Sequence, residues 1–293
     1  MTKSIDEFSG ILQRDVSLAR YTWLGLGGPA QYLLTPETTD QLLAVIRFCL
    51  AEDIPVRILG GGSNLLISDD GVAGAVIRVS EPLLSEVSVS GLLLTAGAGT
   101  LLSHAVSESV RAQLAGLESF VGIPGTVGGA VTGNTGGRHG DIGELVQSVS
   151  VVDLQGDIVE RTGDELSFSY RRSCLNDLLV ISATFRLKAD PSDDLTRRMR
   201  KTWIMKRATQ PLIDQSAGCI FRNPRGLSAG ALIEQCGLKG MSVGNAKISD
   251  RHANFIVTED GATAKEVDQL ISRIQAAVSE KYGVDLELEI CRW

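Results

Sequence analysis

The stretch of this chain that bears most directly on its fold is Gly122-Ile123-Pro124-Gly125-Thr126-Val127-Gly128-Gly129-Ala130. A second glycine-rich loop, Gly60-Gly61-Gly62-Ser63-Asn64-Leu65, follows a predicted strand. Consecutive glycines can expose backbone N–H groups in turns that bind a pyrophosphate. Each loop alone could equally be a plain tight turn, but two such loops in one domain favour a bound nucleotide.

Neither loop matches the fingerprint of a common nucleotide-binding fold. A P-loop ends in Gly-Lys-Ser or Gly-Lys-Thr, and neither loop does. The Rossmann pattern is approached only by Gly97-Ala98-Gly99-Thr100-Leu101-Leu102, where Leu102 stands in the place of the third glycine. Predicted helices and strands are mixed along the chain without a regular βαβ rhythm. The sequence therefore favours an α+β fold over a doubly wound α/β fold.

The composition argues against several classes of protein. The 293 residues, 43% of them hydrophobic, suffice for about two globular domains. A formal charge of −7 argues against non-specific binding of nucleic acid. The sequence contains no long apolar run and no signal-peptide core, so we expect neither a membrane span nor export. Five cysteines without a Cys-x-x-Cys pair, and three histidines without ligand spacing, argue against disulfides and a metal site. We expect a cytoplasmic protein that is a monomer or a weak oligomer.

The spacing of apolar residues predicts the individual elements. The C-terminal helix is the most clearly marked, because Thr263 and Glu266 form a capping box at its start and Gly283 can end it. The other predicted helices cover 39–52, 101–115 and a basic segment that ends near Arg207. Predicted strands cover 55–59, 75–79, 92–95, 178–187 and 286–290, and 148–153 forms a hairpin with 158–160. We predict a loop over 122–140 and a domain boundary in the polar segment 189–193.

Three residues could carry chemistry, and each also has a structural alternative. Cys219 follows two small residues, so a ligand can approach closely, and its thiol can release a proton. Most free cysteines, however, are small buried hydrophobes. Arg171 is either solvated charge or a fixed cation for a carboxylate or an enolate. Alternation along the last predicted strand places Glu289 on one face with Glu287, and that face either meets solvent or points into a cleft.

Several stretches, taken in their order along the chain, resemble the UDP-N-acetylenolpyruvoylglucosamine reductases of bacterial cell-wall synthesis. The two specific ones are 122–130 and Ala217-Gly218-Cys219-Ile220-Phe221-Arg222-Asn223-Pro224. The other matching stretches are 22–30, 59–66, 170–173, 229–234, 237–240 and 252–255. Together they span nearly the whole chain.

The resemblance implies an FAD-binding region of the vanillyl-alcohol-oxidase (PCMH) type over residues 1–190, with subdomains of about 1–55 and 56–190. It implies a substrate-binding domain over 191–293. In this family NADPH reduces non-covalently bound FAD, and the flavin then reduces the enolpyruvyl ether of UDP-N-acetylglucosamine to UDP-N-acetylmuramate. A single cleft that takes both substrates in turn would explain why the sequence shows no second dinucleotide fold.

The resemblance also implies roles for individual residues. Hydride transfer to the alkene builds negative charge on the substrate as an enolate, which Arg171 would stabilise with Glu289 beside it. Cys219 would protonate the carbon next to the carboxylate. The residues implied to bind FAD are Gly60, Gly61, Gly62, Ser63, Asn64, Leu65, Gly122, Ile123, Pro124, Gly125, Thr126, Gly128, Gly129, Ala130 and Asn134. The residues implied to bind the sugar nucleotide are Tyr170, Arg222, Asn223 and Arg225.

The chain departs from the commonest pattern of this family in three places. Cysteine stands at position 219 where serine is usual; because a thiol has a reference pKa of about 8.5, it stays mostly protonated near neutral pH and releases its proton more readily than a hydroxyl. Residues 134–140 replace the usual asparagine-x-glycine-alanine-aromatic-glycine, and Leu288 stands where proline is usual. The interval from Arg171 to Cys219 is too short for the tyrosine-bearing loop of some members, which indicates the type II subclass.

The sequence leaves two other functions open. The chain could be another flavin oxidoreductase of the same fold with a different substrate. Such enzymes often attach FAD covalently through histidine or cysteine, and His104 and His139 are the histidines of the flavin region. The chain could also be a non-catalytic nucleotide-binding protein, in which Arg171, Cys219 and Glu289 would be structural.

Overall fold

The computed structural model describes residues 4–79, 82–137, 140–191 and 194–293. Arg138 and His139, within the divergent 134–140 stretch, lie outside the described residues, as do Ser192 and Asp193 at the predicted domain boundary. The described residues mix short helices with mostly antiparallel strands, which confirms the predicted α+β class.

The helices are α1 (Thr39–Ala51), α2 (Leu102–Arg111), α3 (Val127–Thr132), α4 (Asp194–Thr209), α5 (Ala229–Gln235) and α6 (Ala264–Tyr282), with 3₁₀ helices at Ile5–Phe8, Ala19–Tyr21, Leu117–Phe120, Ile142–Leu145 and Gly163–Glu165. The strands of the first half are β1 (Leu12–Ser17), β2 (Pro29–Leu34), β3 (Val56–Leu59), β4 (Leu65–Leu66), β5 (Val72–Arg78), β6 (Val87–Ser90), β7 (Leu93–Gly97), β8 (Leu114–Ala115), β9 (Gly136–Gly137), β10 (Gly140–Asp141) and β11 (Val146–Val152). The remaining strands are β12 (Ile158–Thr162), β13 (Phe168–Ser169), β14 (Arg172–Ser173), β15 (Leu179–Arg186), β16 (Lys188–Ala189), β17 (Gln215–Cys219), β18 (Ser242–Val243), β19 (Ala246–Ile248), β20 (Phe255–Thr258) and β21 (Cys291–Arg292).

The chain divides into two compact units, each built from separated stretches of sequence. Unit 1 comprises Met1–Arg14, Tyr32–Gly61 and Ala73–Ile204. Unit 2 comprises Asp15–Gln31, Gly62–Val72 and Met205–Trp293. The predicted boundary at 190/191, in the polar segment 189–193, divides the chain instead into two continuous regions, one expected to bind FAD and the other the substrate. That assignment of ligands to regions stays a prediction.

The larger sheet of unit 1 has five antiparallel strands in the order β12-β11-β15-β7-β6. Strands β11 and β12 pair from Ser148 opposite Thr162 to Val152 opposite Ile158, which confirms the predicted hairpin. Helices α2 and α3 pack on this sheet and share its core, because their apolar faces must be removed from water. The core residues from these elements include Leu94, Ala96, Leu102, Val106, Val127, Val131, Val149, Val151, Ala183 and Phe185.

A second core of unit 1 lies between α1 and the sheet ordered β1-β2-β5-β3, in which β3 and β5 run parallel. Thr38 caps α1 by accepting the N–H of Gln41 at 3.2 Å, so the helix begins where the sequence predicts. Leu42, Val45 and Ile46 of α1 are fully buried in this core. Their helical spacing is therefore what fixes the orientation of α1.

Unit 2 is a four-stranded antiparallel sheet in the order β17-β20-β19-β18, with helices α5 and α6 contributing to its core. The capping box of Thr263 and Glu266 is formed, and Gly283 ends α6 in the left-handed conformation with φ of 65°. The predicted apolar face of α6 is buried. It consists of Val267, Leu270, Ile271, Ile274 and Val278.

Three predicted elements differ from the structure. The helix predicted over 101–115 ends at Arg111 and is followed by β8, because Gln113 adopts a left-handed φ of 58°. The glycine-rich segment 122–140 is not all loop, since Thr126 caps the short helix α3. The strand predicted over 286–290 is absent; a single bridge pairs Leu288 with Phe221.

The backbone of 286–290 is irregular, although Leu286, Leu288 and Ile290 all contribute to the core of unit 2, as the alternation predicts. Glu289 and Ile290 both donate their N–H groups to the carbonyl oxygen of Ile220, at 2.8 and 3.3 Å. Two consecutive donors on one acceptor break the period of two that a strand requires. Glu289 is half-buried, whereas Glu287 is exposed. None of the helices in the described ranges is both long and apolar enough to cross a membrane.

Candidate active site

The structure brings the two glycine-rich loops together in unit 1. A Cβ added to Gly61 would lie 2.9 Å from Cα of Gly125, and one added to Gly60 would lie 2.8 Å from Oγ1 of Thr126. Neither glycine can carry a side chain here without displacing the other loop. The two loops therefore lie in direct contact at Gly60 and Gly61.

Helix α3 holds the second loop in place. Leu102 donates its N–H to Gly125 O at 3.0 Å, and Val127 donates to Thr100 O at 2.9 Å. Gly128 packs against Ala98, whose Cβ would lie 2.8 Å from an added Cβ. The sequence needs glycine at this position because α3 starts in contact with the backbone beside α2.

The two glycine-rich loops fit the pyrophosphate of FAD. Among the described residues, no acceptor takes a hydrogen bond from the backbone N–H groups of Gly61, Gly125 or Thr126. Backbone donors that no described protein group satisfies, in two adjoining glycine-rich loops, match the needs of a phosphate group. FAD binding by the individual loop residues is consistent with this geometry and stays a prediction.

The rest of the first loop belongs to unit 2. Gly62 has a φ of 63°, accepts the N–H of Trp23 at 3.0 Å, and lies so close to Tyr21 O that only glycine fits. Asn64 donates its side-chain amide to Glu289 O at 3.2 Å, and its carbonyl accepts the N–H of Cys291. Asn64, predicted to bind FAD, thus also supports the C-terminal segment.

Arg171 lies in unit 1, in the two-residue turn between β13 and β14. Its φ of 57° is left-handed, which is uncommon for a residue with a side chain and concentrates at functional sites. Its guanidinium pairs with Asp141 at 2.9 Å, and its Cζ lies 4.9 Å from the ring centroid of Tyr170. The side chain of Arg171 is 20% exposed, so it is held against the protein rather than solvated.

Asn134, another predicted FAD contact, is buried and engaged with the backbone on both sides of its amide. Its Nδ2 donates to Ser169 O at 2.7 Å, and its Oδ1 accepts the N–H of Gly143 at 3.0 Å. Its φ of 42° is also left-handed. These bonds link the segment after α3 to the turn that carries Arg171.

Cys219 ends β17 in unit 2 and is half-buried. It pairs with Phe255 across the sheet, and a register shift separates it from the pair of Ser216 with Val257. Gly218 absorbs the shift with a φ of 76°. A half-buried thiol at a bulge differs from the fully buried cysteine that the structural interpretation expects, which favours the functional interpretation.

Glu289 lies beside Cys219 in unit 2. Its N–H donates to Ile220 O at 2.8 Å, so the predicted carboxylate and the predicted acid are on hydrogen-bonded neighbouring segments. Asn254 fixes the same frame, since its Oδ1 accepts the N–H of Phe221 at 2.9 Å and its Nδ2 donates to Phe221 O at 2.8 Å. Arg171 belongs to unit 1 and the other two predicted catalytic residues to unit 2.

The predicted sugar-nucleotide ligands have varied surroundings. Arg222 is half-buried and lies 3.5 Å from Glu287, while Arg225 is exposed. Asn223 is exposed and accepts the N–H of Ala229 at 3.0 Å, at the start of α5. Tyr170 is 45% exposed. Their ligand roles stay predictions.

Sequence reasoning did not single out Asp141, Asn254 or Lys206. No sequence pattern around Asp141 indicates its role, because its partner Arg171 is distant in sequence. Asn254 could have been found, since it lies in a matching stretch and a buried asparagine needs partners. Lys206 on α4 is half-buried, and burial lowers its pKa to about 8.

Residues 210–293 match the family model described as UDP-N-acetylenolpyruvoylglucosamine reductase, C-terminal domain, and residues 30–162 match the one described as FAD binding domain. The latter match shows that the chain has an FAD-binding domain. Similar proteins include UDP-N-acetylenolpyruvoylglucosamine reductases of Clostridium novyi, 37% identical over 95% of this chain and 91% of that one, and of Parasynechococcus marenigrum, 40% identical over 96% and 95%.

Among solved structures, the chain is similar to UDP-N-acetylenolpyruvylglucosamine reductase from Thermus caldophilus. The two are 40% identical, the match covers 96% of this chain and 98% of that one, and the TM-score is 0.83. Identities of 37–40% over nearly the full length of several relatives show which family this chain is a member of. The chain belongs to the UDP-N-acetylenolpyruvoylglucosamine reductase family.

Proposed function

We propose that this protein is an NADPH-dependent flavoenzyme that reduces UDP-N-acetylglucosamine enolpyruvate to UDP-N-acetylmuramate, a step in the synthesis of peptidoglycan precursors. The names of its relatives and the FAD-binding region support this proposal. Its place of action would be the cytoplasm, where this activated sugar is made. We propose a monomer or a weak oligomer as the working form.

When bound, FAD would supply a hydride to the terminal alkene carbon of the enolpyruvyl ether. Arg171 would stabilise the negative charge that then develops on the substrate carboxylate as an enolate. Glu289 would lie beside the enolate. Cys219 would act as a neutral acid and deliver its proton to the carbon next to the carboxylate, which completes the addition of one hydride and one proton across the double bond.

The observation that carries the chemical part of this proposal is the placement of Cys219 and Glu289. Although they are far apart in sequence, Glu289 is hydrogen-bonded to the residue after Cys219. An acid and a carboxylate held on one rigid frame can meet the same reacting atoms in a fixed geometry. Neither residue is packed into the core.

The proposal is tested by the absorption spectrum of the purified protein. We expect a yellow protein whose flavin is bleached by NADPH and recoloured by the enolpyruvyl sugar nucleotide without oxygen. Recolouring that fails, in a protein that NADPH does bleach, would overturn the proposed substrate and leave another flavin oxidoreductase. A flavin that stays with the denatured protein would favour the same alternative, and a colourless protein would favour a non-catalytic nucleotide-binding role.

A further inference from the structure

Gly136 lies against the guanidinium of Arg171. The three atoms nearest to a Cβ added at Gly136 are Nη1, Nη2 and Cζ of Arg171, and all would overlap with it. Gly136 does not have a positive φ. Its backbone would accept alanine, so what requires glycine at this position is the space that the guanidinium occupies.

Asp141 lies opposite Gly136 in the pairing of β9 with β10. Cross-strand partners have neighbouring Cβ positions, so the missing side chain of Gly136 leaves an opening beside the Asp141 carboxylate. The guanidinium of Arg171 fills this opening, with Nη1 at 2.9 Å from Oδ1 of Asp141. The two side chains are 20% and 27% exposed, so solvent only partly screens the pair.

The turn that carries Arg171 is held separately. Its left-handed backbone at 171 costs energy and must be offset by the surroundings. Asn134 provides such support, because its buried amide binds Ser169 O, two residues before Arg171. The position of the turn and the direction of the side chain therefore depend on different residues.

We propose that Gly136 and Asp141 form a seat that fixes the orientation of the Arg171 guanidinium, and that both are positioning residues for enolate stabilisation. The inference rests on the function proposed above, in which Arg171 faces the enolate. A guanidinium binds a carboxylate well only when its donors are aimed at it, because its fork is planar and rigid. The seat fixes the orientation of the guanidinium in two ways. The carboxylate of Asp141 binds one edge of the guanidinium, and the absence of a side chain at Gly136 leaves room for the guanidinium plane.

The test uses Gly136→Ala in the full-length flavin-loaded protein. The added methyl displaces only the end of a flexible side chain, so the fold and flavin content should be preserved. We expect reduction of the flavin by NADPH to be unchanged and its reoxidation by the enolpyruvyl sugar nucleotide to slow by about 10²-fold, the cost of a misplacement near 1 Å. Gly10→Ala is the matched control, since nothing lies within 4 Å of its added Cβ.

A double-mutant cycle shows whether the effect passes through Arg171. Because the methyl acts by moving the guanidinium, Gly136→Ala should have no further effect on reoxidation in the Arg171→Ala background. Asp141→Asn keeps the size of the side chain and removes its charge, and should also slow reoxidation selectively. This second variant decides the question if Gly136→Ala reduces stability.

Each outcome bears on the seat or on the role of Arg171. If Arg171→Ala slows reoxidation while Gly136→Ala and Asp141→Asn do not, the seat is refuted and the function stands. If the effect of Gly136→Ala persists in the Arg171→Ala background, the seat is also refuted. If Arg171→Ala leaves reoxidation unchanged, the role of Arg171 fails first and the seat fails with it.

Discussion

The backbone N–H of Glu289 donates a 2.8 Å hydrogen bond to the carbonyl oxygen of Ile220, the residue that follows Cys219. The buried amide of Asn254 binds both the N–H and the carbonyl oxygen of Phe221, one residue further along. The proposed acid and the proposed carboxylate thus share a backbone frame in unit 2. A change that shifts one of them also shifts the other, whereas a change of side chain at either position leaves the frame intact.

Cys219→Ala should leave reduction of the flavin by NADPH unchanged and lower turnover of the enolpyruvyl sugar nucleotide by about 10²–10⁴-fold, because the general acid is lost. Cys219→Ser should keep partial activity, since a hydroxyl can also deliver a proton. Stopped-flow absorbance separates the two half-reactions. Cys291→Ala, which removes another exposed cysteine of unit 2, is the control. Near wild-type turnover in Cys219→Ala would show that this thiol is not the donor.

Glu289→Gln should slow reoxidation of the flavin by the sugar nucleotide by about tenfold or more, because an amide cannot release or take up a proton beside the enolate as a carboxyl group can. The backbone bond to Ile220 is not altered, so the melting temperature should change little. Glu280→Gln, at an exposed position on α6, is the matched control. Equal rates in the two variants would exclude a role for the Glu289 carboxylate in the reaction.

Asn254→Ala should lower the free energy of unfolding by about 2 kcal/mol, because it leaves the buried N–H and carbonyl groups of Phe221 without partners. Urea denaturation measures this loss. Asn245→Ala, at an exposed asparagine of the same unit, should change the free energy of unfolding by less than about 0.5 kcal/mol. Similar small losses in both variants would mean that the amide of Asn254 does not hold the frame.

Local signals in the sequence predicted some elements closely. Helix α6 begins and ends where Thr263 and Gly283 place it, because capping depends on residues within one turn. Helix α3 was missed since its six residues include two glycines, and its cap at Thr126 is stabilised by contacts with residues 98–102. The strand expected over 286–290 is absent. Alternation predicts which side chains are buried, but it does not determine which partners the backbone N–H and carbonyl groups bind.

The candidate site shows the same division. Each glycine-rich loop can be recognised from its own residues. The contact of Gly61 with Gly125 is a tertiary contact, which the sequence of neither loop reveals. The pairing of Arg171 with Asp141 has no counterpart in spacing or composition either. Unit 2 could not be predicted, because it combines residues 15–31 and 62–72 with the last third of the chain. The periodicity of apolar residues over a short window does not show which distant segments pack in the same unit.

Gly61→Ala should reduce the flavin-to-protein ratio of the purified enzyme, because the added Cβ would push against the backbone of Gly125 and separate the two loops. Absorbance of the flavin relative to that of the protein measures this ratio. Gly10→Ala should retain the wild-type ratio, since its added methyl meets no atom within 4 Å. A full flavin complement in Gly61→Ala would show that contact between the loops is not needed for FAD binding.

His252 should make the protein less stable in acid. Burial lowers its pKa below the ordinary 6.5, and the charge of Lys239 adds to the shift. As the pH falls below 6.5, the unfolded chain takes up a proton that the folded protein resists, so the free energy of unfolding decreases. His252→Gln should flatten this part of the pH dependence in urea denaturation.

The hydrogen bond from Asn64 to Glu289 joins residues separated by 225 positions, and that from Thr258 to Leu24 joins residues separated by 234. During translation, residues 15–31 and 62–72 leave the ribosome long before their partners in unit 2 exist. Until then their apolar side chains, which include Leu24 and Leu66, have no hydrophobic core in which to be buried. Unit 2 therefore cannot close before residues 205–293 have been made, and the frame that holds Cys219 beside Glu289 forms only after the residues of unit 1 have left the ribosome.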